Sequence, residues 1–150
     1  MEDKPKIMTT KASGEWSAPM LITAKMGEFD AVLDEPAYVG GTNKGASPMD
    51  YVTAALIGCA GITLSVVSKQ MDFTFSGARF EAEGDIDLRG FMGMPGVCRH
   101  FCAFRGKFYV KTNESQERLD MVKDQVKNRC PVFNLLHDAG VQTEIEWVKE

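Results

Sequence analysis

A chain of 150 residues with a formal net charge of −4, 44% hydrophobic and 25% charged, has the make-up of a soluble globular protein, long enough to bury a core as one domain over residues 1–150. No strongly basic run is present, so nucleic acid is not an expected partner. The longest apolar run, residues 52–67, falls short of the roughly 20 residues a bilayer requires. The polar N-terminus has no apolar segment behind it, so no membrane, no secretory signal and a cytoplasmic location are expected.

Residues 1–17 are polar and are expected to be loosely ordered until Trp16 docks. Residues 20–25 and 28–33 alternate around Met26-Gly27 and predict a β-hairpin. Residues 34–46, DEPAYVGGTNKGA, are a Gly- and Pro-rich loop. Residues 47–71, SPMDYVTAALIGCAGITLSVVSKQM, then read as a long helix. Ser47 supplies an N-cap, Pro48 a first helical position, and Asp50 an acid near the positive end of the dipole. The segment is apolar on almost every side, which predicts a buried central helix.

Residues 72–87 alternate as a strand, with a bulge expected at Ser76-Gly77. Residues 88–96, LRGFMGMPG, are a turn whose Phe91, Met92 and Met94 suit a core edge, a partner chain or a pocket lid. Residues 97–111 are the partner strand. Thr112-Asn113 is expected to cap a second helix, residues 114–128, with Leu119, Val122 and Val126 as its apolar stripe. Pro131 ends that helix, because the residue before proline avoids the helical region. It also opens a third, PVFNLLHD, closed by Gly140. Residues 141–148 alternate as the last strand. The order predicts α+β, a long buried helix on an antiparallel sheet. Ala54, Gly58, Gly61 and Ser65 share one helical face. A second copy across a two-fold axis would satisfy that face, giving an obligate homodimer; a close crossing against the chain's own sheet is the alternative.

Four cysteines, Cys59, Cys98, Cys102 and Cys130, are too few for a disulfide scaffold in a chain of this size. Cys59 lies on the helix face of Val52, Ala55, Leu56, Ile62, Thr63 and Val66, where it serves either as a small core hydrophobe or as a reactive thiol. Cys130 precedes Pro131 at a helix N-terminus, where the dipole and Arg129 favour a thiolate. Cys98, His100 and Cys102 have a metal-like alternation. On a straight strand, however, the two sulfurs stand about 13 Å apart, too far for one tetrahedral ion. No metal is expected. His137 is a C-terminal helix residue suited to the dipole.

GASPMDYVTAALIGCAGITL resembles the central-helix signature of the OsmC/Ohr superfamily, and RCPVFNLL resembles its second cysteine motif. The resemblance runs from about Leu21 to the end. It implies an α+β, intertwined homodimer that reduces organic hydroperoxides without a bound cofactor. By that resemblance Cys59 is the peroxidatic thiol and Cys130 resolves it, with electrons from a dithiol such as dihydrolipoamide. The family's catalytic members place an arginine in the N-terminal part and a glutamate ten positions before the first cysteine. Here no arginine precedes Arg79, and Met49 holds the glutamate's place. Lys25 or Lys11 could supply charge, without arginine's planar fork. Asp50 is about 13 Å of helix rise from Cys59 and serves as a cap. Asp50, Lys25 and Arg129 are therefore supporting candidates. The alternative is a non-catalytic protein that binds a small apolar ligand on the same fold.

Overall fold

Alternation and one glycine turn build the first sheet. In the computed structural model, which describes residues 4–150, strands β1 (Ser13–Ser17), β2 (Leu21–Met26) and β3 (Phe29–Leu33) form an antiparallel meander. Met26 pairs with Phe29, so the loop is Gly27-Glu28, one residue later than expected. Gly27 has φ 65°, the left-handed conformation this two-residue turn requires. Residues 13–17, expected to be part of a loose terminus, instead pair residue for residue with β2.

The following Gly- and Pro-rich loop is pinned by one carboxylate. Asp34 is buried and accepts from the backbone N–H groups of Glu35, Thr42 and Lys44 and from the Thr42 hydroxyl. These donors lower its pKa to about 2, the Thr42 hydroxyl contributing most. A Cβ on Gly41 would sit 1.9 Å from the Glu35 carbonyl oxygen, so only glycine fits there.

The chain divides into two compact units, Met1–Tyr51 and Val52–Glu150. Helix α1 (Pro48–Gln70) starts in the first. Its cap is reciprocal: the Asp50 N–H donates to Ser47 Oγ, while the Ser47 N–H and hydroxyl donate to Asp50 Oδ2. It ends at Asp72, φ 50°, with the Phe73 N–H donating to the Ser68 carbonyl.

In the second unit, β4 (Gly77–Ile86) pairs antiparallel with β5 (Phe101–Lys111), with the register irregularity at Asp85/Ile86 instead of Ser76-Gly77. The sheet is not the wholly antiparallel one expected from sequence: β6 (Gln142–Lys149) lies parallel to β5. Helices α3 (Gln116–Arg129) and α4 (Pro131–Asp138) supply the crossover that a parallel pair needs. Ser115, not Thr112-Asn113, caps α3 by accepting from the Arg118 N–H. The Thr112 hydroxyl is committed to the Thr74 carbonyl. The turn after β4 closes into one helical turn, α2 (Leu88–Phe91), because Asp87 caps the Arg89 N–H. It leaves Phe91 and Met92 exposed.

One core cluster packs Ala60, Leu64 and Val67 of α1 against Phe108 and Val110 of β5 and Leu119, Val122 and Val126 of α3. A second packs Leu56 against Phe101, Phe104 and Leu136. Helix α1 has 23 residues, long and apolar enough by length and composition to cross a bilayer. Its buried stripe, Leu56, Ala60, Leu64 and Val67, instead packs in these clusters. The helix is not buried all round in the single chain: Ala54, Ala55, Gly58, Ile62 and Val66 form an open apolar strip. The small-residue face divides. Gly61 makes room for the Phe80 ring of the chain's own sheet, while Gly58 faces open space among the described residues.

Candidate functional site

Two thiols far apart in sequence meet where α1 passes the α3–α4 junction. Cys59 is half-buried, at the edge between the packed stripe of α1 and its open strip. Thr63 Oγ1 donates to the Cys59 carbonyl at 2.7 Å. Cys130 is only 1% exposed. It is at once the C-cap of α3 and the N-cap of α4, and its Sγ accepts from the Phe133 N–H at 3.4 Å. That N–H belongs to the third helical residue after the cap, a donor that an N-cap side chain reaches.

Cys59 is the neighbouring group that acts on the Cys130 thiol, so the two side chains are neighbours. Both cysteines are free. Burial, helped by the neighbouring Cys59 side chain, pushes the Cys130 thiol from 9.0 up to about 11. This corrects the expectation that the α4 dipole would make Cys130 a thiolate. One weak N–H bond does not offset removal of the sulfur from water. Cys130 is thus a protonated thiol at neutral pH, with Cys59 beside it.

Asp50 is spent on the α1 cap. Lys25 is exposed on β2, opposite Asp30. The Arg129 guanidinium donates to Gln70 and Gln125, so it is engaged along the helices and not directed at the thiol. The cation beside Cys130 is one that sequence reading passed over. Lys127 lines a narrow crevice with Cys130, Ala60, Phe133 and Trp147, and its Nζ stands 5.4 Å from the Phe133 ring centroid. Its signal was its position three residues before Cys130, on the same helical face. The crevice has room for no more than about one water.

Cys98 and His100 lie at the bend that leads into β5, and Cys102 is the second residue of that strand. The chain bends at residues 99 and 100, so the straight-strand separation expected for the two sulfurs does not apply. Among the described residues, no group of three His, Cys, Asp or Glu side chains is arranged to hold a metal. His137 is at the last turn of α4, 3.3 Å from Asp138.

The model of the OsmC-like protein family matches residues 41–146. Among solved structures, the OsmC-like protein of Mycoplasma pneumoniae superposes with a TM-score of 0.80 at 17% identity, covering 95% of this chain and 97% of that one. An organic hydroperoxide resistance protein OsmC of Legionella pneumophila gives 0.76 at 14%, covering 96% and 99%. An organic hydroperoxide resistance protein of Elizabethkingia anophelis gives 0.72 at 15%, covering 98% and 100%. A search of curated proteins finds no match.

Proposed function

We propose, on the premise that this chain belongs to the OsmC-like family, that it reduces organic hydroperoxides through Cys59 and Cys130. The observation that carries this reading is the contact between a half-exposed Cys59 and a buried, protonated Cys130. Structural neighbours described as organic hydroperoxide resistance proteins support the substrate class.

In the proposed cycle the Cys59 thiolate attacks one oxygen of the hydroperoxide. The O–O bond breaks, the alcohol leaves with a proton, and Cys59 becomes a sulfenic acid. Cys130 then attacks that sulfur; the S–S bond forms and water departs. A small dithiol such as dihydrolipoamide, by exchange, returns both thiols. The raised pKa of Cys130 suits the second role better than the first. A thiol titrating at about 11 is a poor attacking thiolate at neutral pH and becomes useful only when an activated sulfur is already beside it. Lys127, at the crevice, is the charge best placed to favour the developing anions. It stands in for the arginine that family resemblance would have called for.

Function also involves a second copy. The open strip of α1, with Ile62 71% and Val66 50% exposed, lies directly beside Cys59. A homodimer that covers it would finish the wall of the site. Binding of an apolar ligand without chemistry is the weaker reading, because the crevice at Cys130 holds little more than a water. The test is hydroperoxide consumption by the purified protein supplied with a dithiol. Turnover that disappears in Cys59→Ser supports the reading. No turnover by the unmodified protein, with its thiols reduced throughout, removes it.

A further inference from the structure

The bend before β5 collects chemistry that the Cys59–Cys130 cycle leaves unused. Cys98 Sγ lies 3.3 Å from the His100 carbonyl oxygen, and Cys102 Sγ lies 4.0 Å from that same oxygen. The sulfurs are therefore no further apart than those two legs laid end to end. A straight strand would hold them about 13 Å apart. The imidazole is part of the same cluster. His100 Nδ1 is 2.8 Å from the Phe101 carbonyl oxygen and 3.5 Å from Cys98 Sγ. A carbonyl only accepts, so Nδ1 carries the hydrogen, and that N–H is also the donor facing the sulfur. Cys102 is exposed and Cys98 half-buried, so a solute reaches both.

Two thiols and an N–H donor, which together form no metal-holding group among the described residues, have the parts of a redox couple. We propose that Cys98 and Cys102 are a second dithiol of this protein, oxidised by hydroperoxides to an intramolecular disulfide, with His100 as a positioning residue. The Cys98 sulfur attacks a hydroperoxide oxygen. The O–O bond breaks, the alcohol (water, for hydrogen peroxide) leaves with the thiol proton, and Cys98 becomes a sulfenic acid. The Cys102 sulfur attacks Cys98; the S–S bond forms, the S–O bond breaks and water leaves. Two thiols lose two electrons, and the hydroperoxide gains them. Closing the bond draws the α-carbons within about 7 Å, a movement taken up at Arg99 and His100, both exposed.

The experiment uses the full chain carrying Cys59→Ser and Cys130→Ser, with hydrogen peroxide as the probe. Both remaining thiols are lost. Trypsin cuts after Arg99, and peptides 90–99 and 100–105 emerge joined by a disulfide that reductant separates. Adding Cys102→Ser leaves a Cys98 sulfenic acid that a dione reagent traps. His100→Ala slows thiol loss about tenfold, below the roughly 10²–10⁴-fold of a full general acid or base, and added imidazole restores the rate. If the double variant does not fold, the unmodified protein is oxidised and digested, and the same joined peptides are expected. Two free thiols on those peptides, or disulfides only between chains, would overturn the assignment. Because the readout is taken without Cys59 and Cys130, its failure leaves the first cycle standing, and failure of that cycle leaves this couple standing.

Discussion

The two cysteine pairs are assembled by opposite means. Cys59 and Cys130 are brought together by packing: α1 and the α3–α4 junction meet through Leu56, Ala60, Val126 and Leu136. Cys98 and Cys102 are brought together by one local bend. In the first pair Cys59 is half-buried and Cys130 is buried, which holds the Cys130 thiol at about 11. The second is wet and has polar neighbours within its own five residues. The same side chain is thus buried at Cys130 and accessible at Cys102. Core packing, not local sequence, makes the difference.

Breaking the chemistry should have the largest effect. Cys59→Ser is expected to lower steady-state hydroperoxide turnover by about 10³-fold or more, whereas Cys102→Ser leaves it unchanged; equal losses in a peroxide-consumption assay would erase the distinction between the pairs. Breaking the packing comes next. Leu56 is fully buried, and Leu56→Ala is expected to cost about 2–5 kcal/mol in denaturant unfolding. It should also slow formation of the Cys59–Cys130 disulfide while leaving that of Cys98–Cys102 at its original rate.

An alkaline titration sharpens the contrast further. The Cys130 thiol rises from 9.0 to about 11 on folding. The unfolded chain therefore releases that proton first as pH rises. The folded state is favoured below about 9 and loses that advantage progressively toward about 11. Unfolding midpoints measured across that window should fall, and Cys130→Ser should remove that component of the fall. The cap gives a smaller difference: Cys130→Ala withdraws the acceptor from the Phe133 N–H and is expected to cost about 1 kcal/mol. Cys102→Ala, on the exposed bend, should stay within about 0.5 kcal/mol. Ser68, in the packed stripe of α1, gives a change of the opposite sign. Its buried hydroxyl has no partner among the described residues. Ser68→Ala is expected to raise stability by about 1 kcal/mol, read as a higher unfolding midpoint.

What the sequence made legible was local. The Ser47–Asp50 cap, the Leu119, Val122 and Val126 stripe, the Pro131 helix start and the Gly140 stop each depend on a few adjacent residues. The α+β class followed from their order. What sequence could not give depended on the whole molecule. The parallel pairing of β6 follows from where α3 and α4 carry the chain. The state of Cys130 follows from the residues that bury it, which outweigh the dipole visible in Cys130-Pro131. Arg129 was the cation that adjacency suggested, yet its fork is turned to Gln70 and Gln125. Lys127, three residues before Cys130 on the same helical face, is the cation that lines the crevice.

The most direct test of the central claim is disulfide mapping of the reduced protein after about one equivalent of an organic hydroperoxide. The account predicts that the first bond to form joins Cys59 to Cys130 within one chain, with Cys59 trapped as a sulfenic acid when Cys130 is replaced by serine. A Cys59 that stays a free thiol under those conditions while hydroperoxide is consumed would contradict it.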